Sequence, residues 1–161
     1  GMEEAGGRRI ARSLQIDMGS VKFCTPEMLE QFAQIKLIRD YVLKKEEELR
    51  LFNQQFGVDG SVVVNGRRQT NLGIFRAYIR EYLKSNPDVH QGMTVMVRHL
   101  APTEKGIPLQ VYCFAKTTRW ETYEKIQADI FDHLIAVLPY FELKVFQNPT
   151  GSDFRALVGQ S

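Results

Sequence analysis

The residues that could do chemistry are three histidines, His90, His99 and His133, two cysteines, Cys24 and Cys113, and the carboxylates Glu121, Glu124, Asp129 and Asp132. Asp132-His133 is the obvious acid–base pairing. Neighbours on a helix project about 100° apart and do not face one another, so His133 reads as a polar residue at the margin of a helix. Asp129 and Asp132 stand three apart, as do Glu121 and Glu124. Without a convergent histidine or third carboxylate, neither pair makes a metal site. The cysteines fit no CxxC or zinc spacing and read as reduced core residues, as in the cytoplasm. Phosphate-binding glycine loops, a nucleophile elbow and P-loop spacing are missing. The chain is expected not to be an enzyme, with no catalytic, cofactor-binding or metal-ligating residue.

Composition narrows the class further. A length of 161 residues suits one domain, perhaps carrying a subdomain, and 43% apolar with 25% charged residues is ordinary for a globular protein. A net charge of +2 argues against nucleic acid, because phosphate-binding domains concentrate more basic charge. Tyr112 and Phe114 would share a sheet face and are the best support for RNA binding. The basic-glycine-aromatic pattern of such sheets is missing, and Met96 and Leu100 suggest a covered face. No apolar run reaches the roughly 18–20 residues that span a bilayer. Gly1 ahead of Met2 reads as a cloning remnant, so a piece of a longer protein is expected.

The elements that hold these residues follow from periodicity. Gly6 to Asp17 alternates, with Ile10, Leu14 and Ile16 beside Arg12 on one face, and reads as a first strand. Arg8, Arg9 and Arg12 would give it a charged edge that discourages pairing between sheets. Thr25-Pro26-Glu27 supplies a cap, an N1 proline and a first-turn carboxylate. The helix it starts runs toward Gln55, with a break near Lys36. Ser61 to Asn65 (SVVVN) is β-branched, and a pairing with Ser20 to Phe23 is expected. From Asn71, Phe75, Tyr78, Ile79, Tyr82 and Leu83 make a helical stripe, ended by Asn86-Pro87. Met93 to Leu100 and Leu109 to Ala115 are strands around a Pro/Gly turn. Arg119 to Leu138 is a helix about 30 Å long, stopped by Pro139, and Glu142 to Phe146 returns as a strand.

The expected fold is therefore α+β: a ferredoxin-like, split βαβ sandwich with a helical insertion after the first strand. Residues 6–153 form a single domain, the insertion covers about 18–69, and 154–161 are a tail. Trp120, Tyr123, Ile126, Ile130, Leu134 and Val137 make one stripe on the long helix; Phe131, Ile135 and Leu138 broaden it. An apolar face that wide has surplus for a neighbour. In the tail, Phe154, Ala156 and Val158 alternate and could complete a strand with another subunit. Phe131, Ile135, Leu138 and Phe154 are accordingly the candidate subunit-interface residues.

Three segments carry a resemblance. Arg67 to Arg76 (RRQTNLGIFR), Met93 to Arg98 (MTVMVR), and Gly106 to Leu138 with its LQVYCF and QADIFDHL cores are similar to the C-terminal cytoplasmic region of MscS-family small-conductance mechanosensitive channels, in particular the YbdG-like, miniconductance-type branch. QADIFDHL after a W-x-x-Y helix start is the most specific part. The resemblance implies a bacterial inner-membrane homo-oligomer, a heptamer, anchored by upstream transmembrane helices that this chain lacks. It implies that this region lies on the cytoplasmic side and forms the wall of a cage whose portals filter solutes. Membrane tension would open the pore and release ions and small solutes on hypoosmotic shock. The helical insertion is an elaboration on the shortest family members. From another class, a ferredoxin-like regulatory module that binds a small molecule is the alternative.

Overall fold

A computed structural model describes residues 6–148. Strand β1 (Arg8–Ile16) is followed by a short 3-10 turn (Met18–Ser20) and helices α1 (Pro26–Phe32), α2 (Arg39–Gln55) and α3 (Asn71–Ser85). Strands β2 (Met96–His99) and β3 (Ile107–Ala115) then form a hairpin, and α4 (Trp120–Val137) runs into a 3-10 turn, Leu138–Phe141. The sheet is antiparallel in the order β1-β3-β2. A single bridge between Ile16 and Val145 adds a rudimentary fourth partner outside β1. The spatial order is thus that of a split βαβ sandwich, with α1 and α2 inserted between β1 and α3.

Register decides what each sheet face does. Ile10 lies opposite Cys113, Arg12 opposite Val111 and Leu14 opposite Leu109, so these side chains share the face toward the helices. All of them except the exposed Arg12 join Phe75, Ile79 and Leu83 of α3 and Ile126, Ile130 and Leu134 of α4 in one buried cluster. The other face pairs Arg9 with Phe114, Ala11 with Tyr112 and Ser13 with Gln110. Along its rim Arg98 donates from Nε to Gln110 Oε1 at 2.9 Å.

Helix α1 starts as its sequence dictates: Thr25 Oγ1 accepts from Met28 N at 3.1 Å, and Pro26 occupies the first turn. The chain breaks over Ala33–Ile38, where Arg39 Nε caps the Ala33 carbonyl at 2.8 Å. Helix α2 then buries only Val42 and Leu49, seven residues apart, and leans on the body along one narrow seam.

Two expected strands are not formed. Ser61–Asn65 is a loop closed on itself. Asp59 accepts from Ser61 N and Oγ, both at 2.9 Å, Asn65 N reaches the Val62 carbonyl, and Arg68 donates to the carbonyls of Gly60 and Val63. The segment at 20–23 pairs elsewhere: Phe23 bridges Thr70, Cys24 N donates to Gln69 O, and Asn71 N to Lys22 O. With that edge taken, β propensity alone has no partner for Val62–Val64. Glu142–Phe146 is likewise reduced to the Val145 bridge, held by Asp17 N to Lys144 O and Phe146 N to Gln15 O, both 2.8 Å. The 3-10 turn and a left-handed Glu142, at φ 55°, use up the residues that would have extended it.

Candidate subunit-contact surface

Of the expected interface residues, Phe131 and Ile135 lie on α4 and Leu138 just beyond it, and the structure separates them. Phe131 is 2% exposed and belongs to the core cluster, and Arg12, projecting from β1 on the helix side, lays its guanidinium 4.7 Å from the ring centre. Leu138, also 2% exposed, opens the 3-10 turn and belongs to the core. Both pack inside the domain, each reaching only the wall of a surface groove. Ile135 is 48% exposed and does face outward. Phe154 lies outside the described residues.

Ile135 stands between two surface grooves. One, of about 630 Å³, runs past Lys22, Pro139, Glu142 and Lys144; the other, of about 400 Å³, runs past Ser13, Gln15, Lys105 and Asn148. Val145 lines both, and Tyr140, 75% exposed, projects from the same end of the molecule. The Lys22 Nζ–Glu142 Oε1 ion pair, 2.8 Å and solvent-exposed, rims the first groove. An apolar centre with a charged rim is the anatomy of a protein contact.

The basic residues of β1 are not a bare edge. Arg8 packs 4.4 Å from the Trp120 ring centre and 4.9 Å from that of Tyr123, whose hydroxyl donates to Arg9 O at 2.7 Å. The Arg8 stem thus packs on Trp120 and Tyr123, though Trp120 stays 58% exposed. Exposed apolar area therefore stands at both ends of the helix, Trp120 at the first and Ile135 at the last.

Two constellations were not legible from sequence. Asn71, fully buried at the start of α3, donates from Nδ2 to the carbonyls of Ser20, Phe141 and Glu142. Its Oδ1 accepts from Lys22 N and Leu72 N. One amide therefore ties the insertion's first strand-like segment, α3 and the exit from α4 together. An asparagine directly after the capping residue Thr70, at the first helical position, was the available signal. The second is His133, which stacks on Tyr82 with ring centres 4.1 Å apart and lies 2.6 Å, Nε2 to oxygen, from the Tyr78 hydroxyl. Burial holds the imidazole below the ordinary histidine range, and burial likewise raises both tyrosines. A ring stacked on Tyr82 and hydrogen-bonded to Tyr78 clasps α3 to α4.

Among the described residues, the other histidines and the cysteines do not join this pair. His99 is held low by burial and by the Arg76 guanidinium, far from His133 in sequence and on a different element. The Cys24 and Cys113 thiols are pushed up to about 12, Cys113 by burial and Cys24 by burial, then Glu46 and Glu142. Protonated at neutral pH, they pack as small hydrophobes. Among the described residues no three His, Cys, Asp or Glu side chains group as a metal site. None of the described helices is long and apolar enough to cross a membrane.

Residues 61–141, about half of the chain, match the family described as "Mechanosensitive ion channel MscS, C-terminal". Over 67 residues the chain is 30% identical to the low conductance mechanosensitive channel YnaI of Escherichia coli (strain K12). That alignment covers 42% of this chain and 20% of YnaI, so the chain spans about a fifth of that relative's length. The matched region runs from the Ser61 loop through α3, the β2–β3 hairpin and α4, which is the sandwich without its first strand β1. The chain belongs to the MscS C-terminal domain family.

Proposed function

We propose that this chain is the cytoplasmic cage domain of a membrane-tension-gated channel of the bacterial inner membrane. Its work there is structural: it joins copies of itself into the wall of a vestibule, seven in the complete channel, through which ions and small solutes pass on hypoosmotic shock. The observation that carries the reading is the family match over 61–141, which includes α4 with its exposed Ile135. The apolar end formed by Ile135, Tyr140 and Val145, with no chemistry beside it, supports a role in contact rather than conversion.

The test is assembly. Replacing Ile135 by Glu in the full-length channel places a carboxylate at the centre of the proposed contact. Truncating one well-buried interface anchor costs about 2 kcal/mol or more, and a buried unpaired charge costs more still. Detergent-solubilised channel carrying Ile135→Glu should then run as smaller species on size exclusion with light scattering. An unchanged oligomer would remove this surface from the interface.

A further inference from the structure

A cleft of about 380 Å³ lies between α2 and the first turn of α3. Its wall carries four cations, Lys45, Arg67, Arg68 and Arg76, and no aspartate or glutamate. That is out of keeping with a chain whose net charge is only +2. Among the described residues, none of the three arginines takes part in an ion pair, and Lys45 makes a loose one, 3.4 Å to Glu48.

Two of the cations, Arg67 and Arg68, are held in place. Asn53 fixes the Arg67 backbone from both sides, its Oδ1 accepting from Arg67 N at 2.9 Å and its Nδ2 donating to Arg67 O at 3.0 Å. The Arg67 guanidinium rests 4.8 Å from the Phe52 ring centre. Arg68 is pinned by its bonds to the Gly60 and Val63 carbonyls, which is what closes the Ser61–Asn65 loop beside the cleft. Arg76 is half-buried, and its Nε finds no acceptor among the described residues. Gly73 lies beneath it: a Cβ added there would stand 3.8 Å from Arg76 Nη2 and 3.3 Å from Thr70 Oγ1, so the bare backbone leaves the floor of the cleft open. Three arginines with no ion-pair partner among the described residues repel one another, and a bound oxyanion relieves that repulsion.

We propose that this cleft binds a multiply charged phosphate group, with Lys45, Arg67 and Arg76 as its charge partners and Arg68 as the residue that shapes the loop around them. Fixed guanidinium groups suit phosphate oxygens, and the volume matches a small-molecule site. The same chemistry is offered by a free phosphorylated solute and by an anionic lipid headgroup. The site stands on the insertion and α3, and it does not depend on the channel reading.

The experiment is calorimetric titration of the 161-residue chain with inorganic pyrophosphate, and separately flotation with phosphatidylglycerol vesicles. Saturable, salt-sensitive binding of pyrophosphate supports a soluble ligand; binding to vesicles alone supports a headgroup. In either arm the double variant Lys45→Gln/Arg67→Gln should weaken binding at least about tenfold, the weight of one charge-assisted hydrogen bond. Arg9→Gln/Arg98→Gln removes the same charge from the opposite sheet face and should leave affinity unchanged. Circular dichroism melting confirms that both variants fold. Binding in neither arm, or equal weakening by the two double variants, overturns the proposal.

Discussion

Replacing Asn71 by Ala would remove five hydrogen bonds at once and leave a fully buried hole. Three of them lie where water can reach part of the site, those with Lys22 N, Ser20 O and Glu142 O. The two with Phe141 O and Leu72 N are buried outright. Each buried group left without a partner costs about 1–3 kcal/mol, so these two alone predict a loss of about 2–6 kcal/mol. Domains of this size are stable by about 5–15 kcal/mol, so the variant sits near the limit of folding. Urea denaturation followed by circular dichroism reads the loss directly, as a lower midpoint at unchanged slope. Thr70→Ala, one residue earlier, removes a single cap bond to Gly73 N and should cost only about 1 kcal/mol. If Asn71→Ala costs no more than Thr70→Ala, the amide is not the junction described.

Two further outcomes follow from local geometry and charge. Gly106, at φ 97°, has the Ile16 carbonyl oxygen where a Cβ would go, whereas Gly57, at φ 63°, faces open space. Gly106→Ala should therefore cost at least about 2 kcal/mol, and Gly57→Ala nearer 1 kcal/mol, by the same denaturation assay. His99 and His133 both titrate below their unfolded value, so the unfolded chain takes up protons first as pH falls. Stability is then full above the unfolded histidine pKa of about 6.5 and declines below it toward the lowered folded values. The melting temperature should drop between about pH 7.5 and pH 5.5, and drop less in His99→Gln/His133→Gln; an equal drop would assign the effect to other groups.

How much of this was legible depends on whether the information is local. Thr25-Pro26, the break near Lys36, the start at Asn71 and the stop at Asn86-Pro87 are written in adjacent residues, and each stands where expected. The alternation of β1 gave its buried face correctly. Long-range partners were not legible. Phe131 looks like surplus apolar surface on α4, but it packs in the core with Arg12, more than a hundred residues earlier, over its ring. Val62–Val64 has strand propensity, but Gln69–Asn71 had already taken the edge at Lys22–Cys24. His133 read as a marginal polar residue because its partners, Tyr78 and Tyr82, lie on another helix.

The central claim is that this domain is a working part of a tension-gated channel, and a rescue experiment addresses it most directly. Cells lacking their own mechanosensitive channels would express the full-length protein, intact or without Phe75–Phe146, and survival of hypoosmotic shock would be counted beside oligomer size. The intact protein should assemble and protect; the shortened one should fail to assemble or fail to protect. Normal assembly with full protection in the absence of α3, the hairpin and α4 would contradict the account.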